Sequence, residues 1–401
     1  MTSTGQATAD ASRDATKTFA ILGGIFLVAA AAAYLYTIDW RAAFPRDGST
    51  LVVGRDFLNF WMYGRAAAMP DPSHWYDAAA YQRELASLLG AGYPGQNWSY
   101  PPTVLLIAAP FGRLGYFPAL LSWTLLGVAI LLPVAARQLA DRRVLIALMA
   151  SPAAVFCLIS GQSSLITTAM LIGIFAALDR RPLLAGALLG LLTLKPQLGL
   201  LFPVMLIASG RWRVFAAAAV TALALAALTA ALFGTQVWID FVTRGLPTQN
   251  IVLTDAQGIA APFYPTVFMN LRGIGTPYSV AMAVQASFAI AAVALVVWAY
   301  RRRADADPHL LFALFLSCSI AAVPYLLVYD TLPLTFAVLA LLAAGQLDSR
   351  ACWLARLVYW LPLLQIGLGM LHIPGPALIA PAFALCAALQ LKSARVAPAP
   401  A

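Results

Sequence analysis

Twelve apolar runs, separated by short polar or basic stretches, constrain the fold of this chain more than any other feature. They cover residues 19–36, 117–137, 144–159, 165–178, 182–194, 197–208, 214–233, 280–300, 309–328, 331–345, 351–370 and 376–391. Several are shorter than the roughly 20 residues that a straight transmembrane helix needs. Only 10% of the residues are charged, against about 25% in soluble domains. The sequence therefore predicts an all-α polytopic membrane protein with about twelve transmembrane helices.

Basic clusters between the runs indicate how the chain is oriented. They lie at Arg142-Arg143, Arg180-Arg181, Arg211/Arg213, Arg301-Arg302-Arg303 and Lys392/Arg395. Cytoplasmic loops are enriched in Lys and Arg, so we place all five clusters inside. This requires a single crossing between residue 100 and Arg142. Residues 117–137 are then expected to cross, 102–113 to form a surface or re-entrant helix, and both chain ends to be cytoplasmic.

This topology divides the chain into a small number of regions. Residues 1–18 are expected to be a disordered cytoplasmic N-terminus, 19–391 a single transmembrane domain and 392–401 a cytoplasmic tail. Residues 37–116 form the first external loop. Apolar residues at helical spacing predict two amphipathic surface helices there, over 56–69 and 77–89. We expect Phe57, Phe60 and Trp61 of the first and Leu85 and Leu88 of the second to face lipid.

Composition also bears on partners and cofactors. The net charge is +9, but the basic residues are scattered in twos and threes, which is typical of cytoplasmic loops and not of nucleic-acid binding. The cysteines lie inside apolar runs without Cys-x-x-Cys spacing, at Cys157, Cys318, Cys352 and Cys386. We therefore interpret them as small core residues. With only three histidines, we expect no metal and no other cofactor.

Asp56 is the external carboxylate with the most unusual surroundings. It follows Arg55 directly and precedes Phe57, Phe60 and Trp61 within five residues. One interpretation is an interfacial helix whose first turn is capped by Asp56. The other is a functional carboxylate held at the water–lipid boundary, where aromatic rings prefer to lie.

Other polar residues sit at the predicted outer ends of apolar runs. Lys195 is either a lysine that snorkels from a tight turn or a cation for a lipid phosphate. Gln162 either caps the two helices that it joins or binds a sugar hydroxyl. Asp330 is expected to pair with Lys195 or a substrate hydroxyl, or to cap the next helix. Tyr100 either starts the surface helix or belongs to an aromatic belt.

Together these residues suggest a reaction at a lipid phosphate on the external face. An external carboxylate could take a proton from an acceptor hydroxyl, and cations could hold the departing phosphate. The sequence has no Gly-rich phosphate loop and no Asp-x-Asp motif for a metal–nucleotide pair. A polytopic transporter or lipid flippase is the alternative, suggested by the short helices and polar turns. A scaffold without activity is a third interpretation.

Four short motifs in order carry a resemblance to a known family. They are Arg55-Asp56-Phe57, Tyr100-Pro101-Pro102, Gly161-Gln162 and Lys195-Pro196-Gln197. In this order the chain, over about residues 19 to 335, resembles integral-membrane glycosyltransferases with the GT-C fold. More narrowly it is similar to glycosyltransferase family 87, whose members are polyprenyl-phosphate-mannose-dependent mannosyltransferases. The family often has a histidine in the late external turn, where this chain has Tyr325, Tyr329 and Asp330.

The resemblance implies a GT-C-like helical bundle in the inner membrane whose active site faces the periplasm. It implies inverting transfer of a sugar, expected to be mannose, from a polyprenyl-phosphate donor to a lipid or glycan acceptor of the cell envelope. Membrane lipids are the other expected partners, and nucleic acid is not one. Asp56 would be the general base. The expected substrate-binding residues are Arg55, Asn59, Tyr100, Gln162, Lys195, Gln197, Tyr329 and Asp330.

Overall fold

A computed structural model describes residues 3–42, 44–139, 141–254 and 261–393 of the chain. Regular structure in these ranges is helical, and β pairing is limited to isolated antiparallel bridges from Arg46 to Asp39 and Val52. The prediction of an all-α protein is therefore confirmed. Residues 255–260, and residues 394–401 of the expected tail, lie outside the described ranges.

Twenty α-helices follow one another along the described chain. They are α1 (Ser3–Thr37), α2 (Arg55–Ala66), α3 (Ala78–Leu89), α4 (Val104–Gly112), α5 (Tyr116–Ala136), α6 (Arg142–Met149), α7 (Pro152–Ser160), α8 (Ser164–Ala177), α9 (Pro182–Leu191), α10 (Pro196–Gly199), α11 (Phe202–Ala208), α12 (Trp212–Phe233), α13 (Gln236–Asp240), α14 (Leu246–Thr254), α15 (Val267–Gly273), α16 (Tyr278–Arg302), α17 (Pro308–Ala322), α18 (Leu332–Ala343), α19 (Ser349–Met370) and α20 (Ile379–Ser393). Short 3₁₀ turns cover His74–Tyr76, Leu192–Leu194, Ala261–Phe263, Val328–Thr331 and Gly375–Leu378, and a π-helical turn covers Phe241–Gly245.

Six helical segments are long and apolar enough to cross a bilayer. They are Ala15–Thr37, Tyr116–Ala136, Trp212–Phe233, Tyr278–Arg302, Ser349–Met370 and Gly375–Ser393. The pair α6 and α7 makes a seventh if its 51° bend lies within one span. Five more apolar helical segments have only 10–17 residues. The protein is thus a multi-pass membrane protein, while the count of twelve crossings stays a prediction.

Two of the short helices, α17 and α18, lie at the centre of the bundle. Nearly every residue of α17 and α18 is buried, as expected of helices that are apolar on all sides. By contrast, only 11% of the most apolar window is buried in α12 and in the span Ala15–Thr37. These two long segments therefore lie at the outside of the bundle, as expected of helices that contact lipid. The turn Val328–Thr331 lies between the end of α17 and the start of α18.

The bend between α6 and α7 has a local cause. Pro152 begins α7 and cannot donate a backbone hydrogen bond to the preceding turn. Ser151 caps the new helix, because its hydroxyl accepts from the Ala154 amide. The break lets α7 end at Gly161, the first residue of a turn that enters the candidate site.

The segment 37–116, which we predicted to be the first external loop, has its own aromatic core. Trp98 stacks on Tyr63 with the ring centroids 3.5 Å apart. Phe57, Trp61 and Leu85, which we expected to face lipid, are buried inside this core instead. The expectation was wrong because periodicity identifies the apolar face of a helix but not what covers it. The predicted surface helices themselves are present as α2 and α3.

Helices α2 and α4 of this loop approach each other backbone to backbone. A Cβ atom added to Gly112 would lie 2.0 Å from the carbonyl carbon of Gly64, and one added to Gly64 would lie 2.3 Å from the carbonyl oxygen of Ala108. Such contacts exclude any side chain at either glycine. The predicted surface or re-entrant helix is thus the nine-residue α4, held directly against the helix that carries Asp56.

The N-terminus differs from the prediction. Residues 3–18, expected to be disordered, form the first turns of α1. This part of the chain is rich in alanine, the best helix former, and a helix already formed downstream extends at little cost. Phe19 then stacks on Tyr359, with the ring centroids 4.2 Å apart, which fixes α1 against α19.

Candidate active site

Asp56 lies in the first turn of α2 and points towards the centre of the bundle. The helix begins after Gly54, the residue at its N-cap position, so Asp56 is not the cap. Its Oδ2 accepts a hydrogen bond of 2.9 Å from the Tyr329 hydroxyl, 273 residues away in the sequence. The structure therefore joins the segment 37–116 to the turn between the two central helices at this carboxylate.

The surroundings of Asp56 raise its pKa above the ordinary value for aspartate. Burial is the largest cause, because it disfavours the charged carboxylate. The hydrogen bond from Tyr329 and the charge of Arg55 act in the opposite direction, followed by Gln162 and Lys195. Burial outweighs all four. A carboxylate with a raised pKa is a stronger base than one in water, which is what proton abstraction requires.

Lys195 forms a buried ion pair beside Asp56. Its Nζ lies 2.7 Å from Asp330 Oδ1, and both side chains are only 3% exposed. Ser164 donates to the same carboxylate oxygen at 2.6 Å. The snorkelling interpretation of Lys195 is therefore wrong, and Asp330 pairs with Lys195 instead of capping α18, whose N-cap position is held by a neighbouring residue.

Tyr329 connects this ion pair to Asp56. Its hydroxyl donates to the Asp56 carboxylate, while the Lys195 ammonium lies 5.1 Å from the centre of its ring. A cation over an aromatic ring is attracted by the electrons of the ring face. The structure thus brings Asp56, Lys195 and Asp330 to one place, as the predicted clustering of external polar residues requires.

The turn at Gly161 adds Gln162 to the cluster. Gly161 has a φ of 67°, and a Cβ atom there would lie 2.6 Å from Cβ of Phe57. Only glycine fits both the backbone conformation and the space. Gln162 donates from Nε2 to the Tyr100 hydroxyl at 3.2 Å, and its Oε1 accepts from the amide of the next residue at 3.0 Å. Gln162 therefore both joins the two helices and reaches the candidate site.

Arg55 and Asn59 already have protein partners. The Arg55 guanidinium pairs with Asp47 at 2.8 Å. Asn59 donates to the Asn97 carbonyl at 3.1 Å and accepts from the Tyr81 hydroxyl. Both side chains therefore hold α2 to the rest of the segment 37–116. Their expected contacts with substrate stay predictions.

Gln197 and His372 lie at the edges of this region. Gln197 lines a small cavity that also touches Asp330 and Pro333. His372 lies beyond α19, and its Nδ1 is 3.1 Å from the Gly273 carbonyl. Among the described residues, no group of three or more His, Cys, Asp or Glu side chains is placed so that it could hold a metal ion.

Some residues of the site escaped the sequence argument. Asp47 was placed in a plain polar linker, but its side chain is buried against Arg55. Ser164 supports Asp330 from the first turn of α8. Tyr264 packs against Tyr325, which the sequence analysis had named, with ring centroids 5.0 Å apart, and both lie near enough to Asp56 for its charge to act on them. A serine or tyrosine beside an apolar run is too common to single out without coordinates.

Comparison with known proteins gives one significant match. The sequence model of glycosyltransferase family 87 matches residues 98–329, more than half of the chain. The matched range contains Tyr100, Gln162, Lys195 and Tyr329, whereas Asp56 precedes it. No curated protein and no solved structure is significantly similar to the chain.

Proposed function

The chain belongs to glycosyltransferase family 87, and on that basis we propose that it moves a sugar from a polyprenyl phosphate to an acceptor hydroxyl. The proposed sugar is mannose, the proposed fold is a GT-C-like bundle, and the proposed side is the periplasmic face of the inner membrane. Family membership favours a transferase over a transporter or flippase. The observation that carries the mechanism is Asp56, a carboxylate of raised pKa beside a buried lysine.

In the proposed reaction Asp56 takes the proton of the acceptor hydroxyl. The acceptor oxygen attacks the anomeric carbon of the sugar, and the bond from that carbon to the phosphate oxygen breaks. The polyprenyl phosphate leaves with the bonding electron pair. A single displacement of this kind inverts the configuration at the anomeric carbon. General-base catalysis contributes about 10²–10⁴ to the rate of such a step.

The leaving phosphate would meet donors that the fold already holds in place. The Lys195 ammonium has three N–H donors, of which one is used by Asp330. The Tyr100 hydroxyl and the Gln162 amide lie close enough to Asp56 to interact with it. Hydrogen bonds between charged groups contribute about 1.5–3 kcal/mol each. Because Lys195 is neutralised by Asp330, it would act here chiefly as an oriented donor.

Asp56→Asn tests the proposal with little change in size. Purified protein in liposomes is given polyprenyl-phosphate mannose with a labelled sugar and an extract of envelope lipids and glycans as acceptor. We expect the variant to lose at least about 10²-fold in transfer rate. Asp39→Asn is the matched control, because this exposed carboxylate of the same loop bonds only locally. It should transfer at the normal rate.

Two results would contradict the proposal. Transfer by Asp56→Asn at more than a tenth of the normal rate would remove Asp56 from the mechanism. Transfer from a nucleotide sugar, with none from the polyprenyl phosphate, would exclude the proposed donor. The anomeric configuration of the product, read by NMR, tests inversion separately.

A further inference from the structure

A second cavity, of about 490 Å³, lies between α15 and the C-terminal end of α19. The cavity is not lined by the candidate active-site residues Asp56, Lys195, Tyr329 and Asp330. The polar part of its wall is formed by Asn270, Arg272, Gln365 and His372. No aspartate or glutamate is among its described lining residues, so the Arg272 guanidinium gives the wall a positive charge.

Among these side chains, Arg272 carries a positive charge that is almost fully buried. The residue is only 7% exposed. Its Nη1 donates to the Thr276 carbonyl at 2.9 Å and its Nη2 to the Thr254 carbonyl at 2.8 Å, while its Nε has no hydrogen-bond partner among the described residues. Within that part of the chain no carboxylate forms an ion pair with it. A buried charge without a counter-ion is costly unless an anion supplies the compensation.

The two amides beside Arg272 are held in fixed orientations. Asn270 donates to the Tyr264 carbonyl at 2.8 Å, and Gln365 donates to Asn270 Oδ1 at 3.2 Å. Because α15 and α19 are tied together by this pair, the polar wall is built in advance of any ligand. A preformed cavity with a few convergent polar groups is typical of binding sites for small molecules.

The mouth of the cavity is apolar. Met370 is 65% exposed, and Ile274 and Ile373 are also exposed; all three line the cavity. They lie next to the end of α19, one of the helices long and apolar enough to cross the bilayer. A ligand that fills this space would therefore place a negative group against Arg272 and an apolar group at the mouth, beside lipid.

We propose that this cavity binds the phosphate headgroup of an anionic lipid, with Arg272 as the cation that compensates the phosphate. The apolar mouth favours a lipid over free phosphate, since an inorganic ion would leave Met370 and Ile373 exposed to water. This site lies outside the sugar-transfer reaction proposed above and does not depend on it.

Lipid binding to the purified full chain tests this site directly. Detergent-solubilised protein is titrated with phosphatidylglycerol or with phosphatidylcholine, and the bound lipid is counted by native mass spectrometry. We expect phosphatidylglycerol to bind at least about tenfold more tightly, and Arg272→Gln to abolish that preference. Arg272→Lys, which keeps the charge, should retain most of it. Arg244→Gln is the matched control, because Arg244 is an exposed arginine of the same external segment.

A second variant covers the case in which Arg272→Gln fails to fold. Met370→Glu introduces a negative charge at the mouth and leaves both carbonyl bonds of Arg272 in place. It should also weaken phosphatidylglycerol binding at least about tenfold, because like charges repel in a site of low dielectric constant.

Several outcomes would overturn the proposal. Equal binding of both lipids by the normal protein would do so, as would unchanged preference in Met370→Glu. Displacement of phosphatidylglycerol by millimolar inorganic phosphate, with no lipid preference in its absence, would assign the cavity to free phosphate. Because the measurement involves no sugar transfer, its result is independent of the proposed reaction.

Discussion

Lys195→Met removes the positive half of the buried ion pair and leaves the Asp330 carboxylate without its counter-ion. Both side chains are 3% exposed, so water cannot replace the lost ammonium. Breaking a buried pair on one side costs about 3–5 kcal/mol of stability. The bond from Ser164 at 2.6 Å persists and offsets only a small part of this cost. We expect Lys195→Met to destabilise the protein by about 3 kcal/mol or more.

The double variant separates the charge effect from the loss of packing. Asp330→Asn keeps the shape of the side chain and still accepts from Ser164, but it removes the charge that Lys195→Met leaves unpaired. The double variant should therefore lose less stability than the two single variants lose together. The difference, which is the coupling free energy, should be about 2–3 kcal/mol. This coupling should also be insensitive to salt, because a buried pair is poorly screened.

The exposed pair of Arg211 and Asp179 is the matched control. It has nearly the same N–O distance, 2.9 Å, but the Asp179 side chain is 77% exposed. A surface ion pair contributes about 0–1 kcal/mol, so Arg211→Met should have little effect. The free energy of unfolding is measured by denaturant titration in detergent, followed by tryptophan fluorescence. A loss below about 1 kcal/mol in Lys195→Met, or additive single losses, would refute the reasoning.

Three further predictions concern Asp56 and the turn that faces it. Burial raises the pKa of Asp56 and the Tyr329 hydrogen bond opposes this, so Tyr329→Phe should raise the pKa further and move the acid limb of the rate–pH profile to higher pH. A carboxyl whose pKa is raised in the folded state binds more protons there than in the unfolded state, so its contribution to stability falls as pH rises from the ordinary aspartate pKa to the raised one. Asp56→Asn should remove that part of the slope in denaturant titrations across pH. Gly161→Ala should lower the free energy of unfolding by more than about 1 kcal/mol in the same titration, because Gly161 has a positive φ and a Cβ there would meet Phe57. Its control is Gly367→Ala, where a Cβ meets open space and the change should be neutral or slightly stabilising.

Much of the architecture could be predicted because lipid imposes simple rules. Each of the twelve apolar runs corresponds to a helix or a helix pair in the structure. The surface helices of the external loop were also predictable from their periodicity. The cost of an unpaired charge made Lys195 one of the alternatives considered for Asp330, beside a substrate hydroxyl and a helix cap, and the structure selects Lys195. These predictions rest on energies large enough to dominate local detail.

The features of the fold and of the site that were not predicted depend on packing, which the periodicity of a sequence does not encode. Phe57 has the same pattern whether lipid or Trp123 covers it, and the structure places Trp123 there, with ring centroids 6.3 Å apart. Asp47 could be recognised as a buried partner only once the chain was seen to fold back on Arg55. The cavity at Arg272 combines segments almost 100 residues apart, none of which carries a distinctive motif.

The contact between Gly64 and Gly112 has a consequence for the chemistry. Both glycines lie away from the reacting groups, yet Gly64 is on the same helix as Asp56. Growth of either residue by one methyl group would force the two helices apart, and the carboxylate would be carried away from its tyrosine donor. The position of the general base relative to Tyr329 thus depends on how closely α2 and α4 pack where Gly64 meets Gly112.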